Sequence, residues 1–132
     1  MTVLDTSVVV DLLMGDGVAA EAVQLLSDEG AAAAPDLLVF EVLAVLRRHA
    51  NRGAVSAERA AAAIADLGDV ALQLYPSMIL RDRAWALRDN LTAGDALFAA
   101  LAQELGEPLA TKDRGLAAFV RSHLGVPVVE LG

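Results

Sequence analysis

Thr2-Val3-Leu4-Asp5-Thr6-Ser7 is the stretch on which the reading of the fold turns. Residues of strand character run straight into a carboxylate at the start of the sequence, with no lead-in of disordered composition. In a parallel sheet, a first strand that accepts neighbours on both sides lies in the middle, and Asp5 then stands at its carboxyl end. Open α/β sheets bind their ligands outside that edge. Two roles are open to Asp5 from its local context. Asp at a strand-to-helix junction often caps the helix, and it can equally belong to a site. Three later acids, Glu41, Asp95 and Asp113, each stand where the chain could return them to the same edge.

Working outward, Ser7 to Met14 reads as a short helix stopped by Gly15-Asp16-Gly17, and Val18 to Ser27 as a second helical run. Ala31 to Ala34, closed by Pro35, is consistent with a buried strand. Asp36 is expected to cap a helix from Leu37 to Arg52, which ends at Gly53 with Arg47, Arg48 and Arg52 where cations suit the helix dipole. Ser56 caps an Ala-rich helix to Leu67, packed closely on a neighbour or on a second chain. Val70 to Tyr75 reads as a strand, and Pro76-Ser77 opens a helix to about Arg88. Trp85 in that helix is expected in the core or at an interface, and Arg81, Arg83 and Arg88 as surface charges or substrate contacts. Thr92 and Asp95 have capping-box spacing before the Ala96 to Ala102 run. Leu109 to Thr111 is a short strand, Gly115 to His123 a helix, and Val126 to Leu131 a last strand whose Pro127 suits a sheet edge. Such alternation argues for a parallel sheet covered on both faces within one domain, residues 1–132.

Composition narrows the chemistry. The 132 residues suffice for one domain with a core of its own. The chain has no cysteine and two histidines, His49 and His123, so disulfides and thiolate chemistry are excluded and a metal would be bound through oxygen. Asp5 and Asp11 interrupt the first apolar residues, and no Lys or Arg precedes them, which argues against a signal peptide or membrane span and makes the cytoplasm the expected compartment. With 56% apolar residues and a mean hydropathy of +0.51, some apolar surface is expected outside the core, as at a protein partner. A net charge of −8 opposes general nucleic-acid binding, so such a substrate would need a metal or a local basic patch. There is no Gly-rich phosphate loop, no Gly-x-Ser-x-Gly elbow and no His-Glu-x-x-His helix. Thr6 and Ser7 lack an evident base.

Glu41 asks for a reason of its own. At helical spacing its neighbours are Leu37, Leu38, Ala44 and Val45, so a carboxylate sits inside an apolar face. Burying it unpaired costs several kcal/mol, which calls for a cation, a hydrogen-bond donor or a route to solvent. A metal at the sheet edge would supply the cation; a Glu at the rim of a packed face would keep its head in water.

Taken together, Val3-Leu4-Asp5-Thr6-Ser7, Glu41 after Pro35, Thr92-Ala93-Gly94-Asp95-Ala96 and Thr111-Lys112-Asp113-Arg114 resemble the four acidic motifs of PIN-domain ribonucleases, in order and over essentially the whole chain. The likeness is greatest to VapC-type toxins of toxin–antitoxin pairs. It implies a five-stranded parallel sheet in the order 3-2-1-4-5, and a metal-dependent endoribonuclease in which Asp5, Glu41, Asp95 and Asp113 surround magnesium or manganese. Clustered carboxylates repel one another, and a hard divalent cation relieves that repulsion, activates water and stabilises phosphodiester oxyanions. The products would carry 5′-phosphate and 3′-hydroxyl ends. Asp5 and Asp95 are the expected direct ligands. Glu41 is expected to ligate or to hold a water, Asp113 to serve a second metal or an outer contact, and Ser7 and Thr111 to support the carboxylates by hydrogen bonds. Gly94 departs from the aromatic residue expected before the third acid. The resemblance also implies a cognate antitoxin, a homodimer and larger assemblies with the antitoxin, and no membrane. The alternative is a non-catalytic binding or regulatory module on the same fold, its acids serving as helix caps.

Overall fold

Strand β1 is only Val3–Leu4, and both side chains are wholly buried. In the computed structural model, which describes residues 1–132, this two-residue strand is the middle of the sheet. It is followed by helices α1 (Thr6–Met14) and α2 (Ala19–Glu29), strand β2 (Ala32–Pro35), α3 (Leu37–Asn51), α4 (Ala57–Leu67), β3 (Leu72–Tyr75), a 3-10 turn (Ser77–Leu80), α5 (Arg81–Ala86), α6 (Ala93–Leu105), β4 (Leu109–Thr111), α7 (Arg114–Phe119), a π turn (Val120–Leu124) and β5 (Val128–Glu130). All pairings are parallel and the order is β3-β2-β1-β4-β5, as expected. Val3 stands opposite Ala33 on one side and Leu109 on the other.

From β1 the chain steps first towards β3 and later returns to the other side through β4 and β5. Because parallel crossovers are right-handed, this reversal sends helices to both faces. Helices α1 to α4 pack on one another over one face, and α6 packs on β1, β2 and β4 from the other, with α5 against it. The core is apolar and finely divided: Leu4, Leu38, Leu46, Leu101, Leu109 and Phe98 fill it beside the alanines of β2 and α6. Those alanines let α6 lie close to the sheet, which is why four Ala-rich residues serve as a buried strand despite weak intrinsic preference. No helix is long and apolar enough to cross a membrane.

The structure revises several local expectations. Asp36 makes no capping bond to α3. Its carboxylate instead accepts from the Ser77 amide at 3.1 Å and the Ser77 hydroxyl at 2.5 Å, fastening the start of the 3-10 turn to the end of β2. The helix expected from Ser77 to Arg88 is divided into that turn and α5. Trp85 is 68% exposed and does not belong to the core. The last helix gives way to a π turn after Phe119, and β5 is shorter than the apolar run that suggested it. By contrast Ser56, Thr92, Asp5 and Asp113 all cap as their spacing indicates.

Gly17 is the turn residue that the packing demands. Its φ is +52°, and a Cβ there would fall 2.1 Å from Oδ2 of Asp11, a buried carboxylate that accepts from the Val18 amide at 3.0 Å and from the Lys112 ammonium at 2.6 Å. Left-handed backbone disfavours a side chain, and here the side chain would also displace an enclosed carboxylate from its half-exposed lysine partner. Gly17→Ala is therefore expected to lower unfolding free energy by about 2–3 kcal/mol, to be read from urea denaturation; a change under a few tenths would contradict this account.

Candidate active site

The parallel topology brings the ends of β1 and β4 side by side at the point where the chain reverses direction, which is where open α/β sheets leave a crevice. Asp5 follows β1, Thr111 closes β4 and Asp113 comes two residues later. Helix α6 starts at the same edge and carries Asp95 in its first turn, while α3 contributes Glu41 from one turn inside its start. These four acids, with Thr6, Ser7, Phe98 and Lys112, line one open cavity of about 410 Å³. Phe98 is the only apolar member.

Burial is graded across the cluster. Asp5 is 7% exposed, Glu41 and Asp95 are half-buried, and Asp113 is exposed at the mouth. Asp5 is held by three donors: the Ser7 hydroxyl at 2.8 Å and the Val8 amide at 3.1 Å on Oδ1, and the Thr111 hydroxyl on Oδ2. One carboxylate thus caps α1 and ties β1 to β4. Thr111 in turn accepts from the Asp113 amide at 3.0 Å, which fixes the turn that carries Asp113, and Asp113 accepts from the Leu116 amide at 3.0 Å to cap α7. Thr92 accepts from the Asp95 amide at 3.2 Å, so the backbone of Asp95 starts α6. The Glu41 carboxylate has no cation; it accepts from the Thr6 hydroxyl at 2.5 Å. Its Oε2 lies where a Cβ on Gly94 would come within 2.8 Å, so Gly94 leaves room for Glu41 to lean over the start of α6.

No lysine or arginine forms an ion pair with any of the four acids. Lys112, the sole lysine of the chain, lines the cavity, but its ammonium is bonded to Asp11. The electrostatic consequence falls on the two more enclosed acids. Burial pushes the Asp5 carboxyl above its ordinary range, the Thr111, Ser7 and Val8 hydrogen bonds pull against that, and the charge of Asp113 adds to the rise. Burial also raises Asp95, and the charges of Asp113, Asp5 and Glu41 raise it further. These oxygen donors, uncompensated by any protein cation, fit a hard divalent ion. No three of the carboxylates stand together as a ligand set in this structure, so most of such an ion's shell would be left to water or substrate.

The site contains more than the sequence singled out. Thr6 was legible only as a neighbour of Asp5, although its place in the first turn of α1 aims it at α3. Asp11 and Lys112 were not assigned roles. The signal available was that Lys112 is the only lysine and directly precedes Asp113, and that Asp11 interrupts the apolar α1.

The profile of the PIN domain family matches residues 2–121. Among curated proteins, the chain is 42% identical to Ribonuclease VapC1 of Mycobacterium tuberculosis over 117 residues, covering 88% of each chain. It is 33% identical to Ribonuclease VapC9 of the same organism over 129 residues, 98% of each chain, and 35% identical to its Ribonuclease VapC3 over 122 residues, 92% of this chain and 89% of the other.

Two outcomes follow from the electrostatics. Because the pKa values of Asp5 and Asp95 are raised on folding, their protonation favours the folded state. Their contribution to stability is present below the ordinary carboxylate range and is lost as pH rises through the raised values towards neutrality. In chelator, Asp95→Asn should raise the melting temperature at neutral pH by about 1–4 °C and flatten its pH dependence between neutrality and the carboxylate range; calorimetry across that interval checks both. Thr111→Val removes a donor to ionised Asp5 and should move the Asp5 pKa further up, as followed by carboxyl carbon NMR titration.

Proposed function

The chain belongs to the PIN-domain family, with VapC-type ribonucleases as relatives over nearly its full length, and on that premise we propose that it is a metal-dependent endoribonuclease acting as the toxin of a toxin–antitoxin pair. The observation that carries the proposal is the gathering of Asp5, Glu41, Asp95 and Asp113 around one cavity with no protein cation to balance them. Structural carboxylates are normally paired, and an unbalanced set at the reversal point of a parallel sheet is suited to a cationic ligand.

Asp5 and Asp95 would hold magnesium or manganese, with Glu41 and Asp113 beside them. When bound, the ion supplies Lewis acidity towards a phosphodiester and the water that attacks it. The chain's own part is orientation. Ser7, the Val8 amide and Thr111 hold the Asp5 carboxylate in one rotamer, and Thr6 holds Glu41 towards the cavity. Phe98 is the one apolar side chain of the cavity lining. Asp113, exposed at the mouth, would meet a second ion or make an outer contact.

The partners proposed for the chain are an RNA substrate, a cognate antitoxin presenting a basic side chain to the acidic cavity, and a second copy of itself, in the cytoplasm. Exposed Val39, Phe40 and Leu43 on α3 and Met78 and Ile79 after β3 support a protein partner. A non-catalytic module is the second reading, and the capping bonds of Asp5 and Asp113 favour it. The two readings part over Asp95, whose carboxylate makes no hydrogen bond to a backbone amide of α6.

End-mapping of cellular RNA incubated with the purified chain and manganese tests the proposal. The expected result is a set of defined new 5′-phosphate ends that chelator abolishes and that Asp95→Asn reduces by about a hundred-fold or more. Folded, antitoxin-free protein that makes no metal-dependent cuts, or Asp95→Asn with undiminished cutting, would remove the nuclease reading.

A further inference from the structure

On the far side of the first turn of α6 lies a second cavity of about 280 Å³, whose lining includes Ala93 and Ala96, the neighbours in sequence of Asp95. Trp85, Arg88 and Arg81 stand around it. Trp85 is the only tryptophan of the chain and is 68% exposed. The Arg88 guanidinium lies 4.7 Å from the centre of the indole and donates to the Trp85 carbonyl at 3.0 Å, which holds the ring from one side and leaves the rest of it open. Arg81 donates to the Met78 carbonyl at 2.8 Å. Neither arginine is ion-paired, whereas Arg83 on the same helix is bound to Glu104 at 2.9 Å. In a chain of net charge −8, two guanidiniums without an ion-pair partner beside an open indole make a local basic patch with an aromatic face.

An apolar protein partner covering this patch would have to desolvate both charges without an acid to receive them. A single-stranded nucleic acid meets each feature: bases stack on aromatic faces with little sequence preference, and arginines reach the phosphates on either side. We propose that Trp85 and Arg88, with Arg81 beside them, form a stacking platform for one unpaired base of the RNA whose phosphodiester occupies the acidic cavity. The proposal rests on the ribonuclease reading and adds to it the place where a flanking nucleotide is held. The strand passes over the start of α6, from the Asp95 side to the Trp85 side.

Trp85 is its own reporter. In chelator, so that RNA is held uncut, titration of the full chain with a short single-stranded oligoribonucleotide of mixed sequence should quench the indole emission, and an abasic oligomer of equal length should not. Anisotropy of a labelled oligomer should give a Kd raised about ten-fold by Trp85→Ala or Arg88→Ala, with Trp85→Phe close to wild type because stacking survives. With metal restored, Trp85→Ala should raise KM by a similar factor and leave kcat unchanged. RNA that is bound and cut without any change in Trp85 emission, or with Trp85→Ala matching wild type, would overturn the platform while leaving the nuclease reading intact. Emission that varies with protein concentration and not with RNA would overturn it in favour of a contact between copies of the chain. Failure to bind or cut any RNA would remove both readings.

Discussion

The Asp5 carboxylate is the constraint on which the rest depends. It sits at the end of a two-residue strand that is completely enclosed, and it can be buried there only because three donors converge on it from β1's own outgoing turn and from the last residue of β4. An unsatisfied buried carboxylate would cost several kcal/mol. Its satisfaction therefore specifies more than a side-chain rotamer. It fixes where α1 begins, which strand lies beside β1 and where the turn to Asp113 starts, since Thr111 links all three. The fold and the site share one set of hydrogen bonds.

That sharing sets two demands against each other. The scaffold needs Asp5 hydrogen-bonded, and the site keeps three further carboxylates near it without a balancing cation. Elsewhere the chain treats its acids conventionally. Asp11 is paired with Lys112, and Glu29 accepts from the Thr2 amide at 2.6 Å and hydroxyl at 2.7 Å, bonds that hold its pKa below the ordinary value. Asp36 is likewise lowered, by Ser77. The raised pair, Asp5 and Asp95, lie in the cavity, whereas the lowered pair, Glu29 and Asp36, fasten elements together. The sign of the shift follows the balance of burial against hydrogen bonds: Asp5 also braces the structure, yet burial outweighs its three donors and its carboxyl rises.

Much of this was legible because the sequence signals were redundant. The strand–helix alternation and the position of Asp5 after the first strand point to a parallel sheet covered on both faces with β1 in the middle, the resemblance to PIN-domain ribonucleases implied the strand order, and Ser56, Thr92 and Asp113 cap as spacing alone suggests. The four acids could be named because each interrupts or begins an apolar helix. Other features escaped because they depend on distant pairings. Asp36 looks like a cap in sequence, yet Ser77, forty-one positions away, outcompetes the α3 amides for its carboxylate. Trp85 was expected in the core or at an interface; Leu80 and Leu87 already supply the buried contacts of that segment, and the indole is left outside the core. Thr6 and Lys112 are ordinary polar residues until the topology brings α3 and α1 beside them.

The pairing of β1 with β4, sealed by a hydrogen bond between residues 106 positions apart, also governs when the pocket can exist. Chains are made from their amino terminus and long-range contacts form late. During synthesis the first strand and Asp5 emerge at once, but the partner that orders that carboxylate, and the acid at the mouth of the cavity, are encoded in the last fifth of the chain. The four acids share one cavity only once β4 has paired with β1.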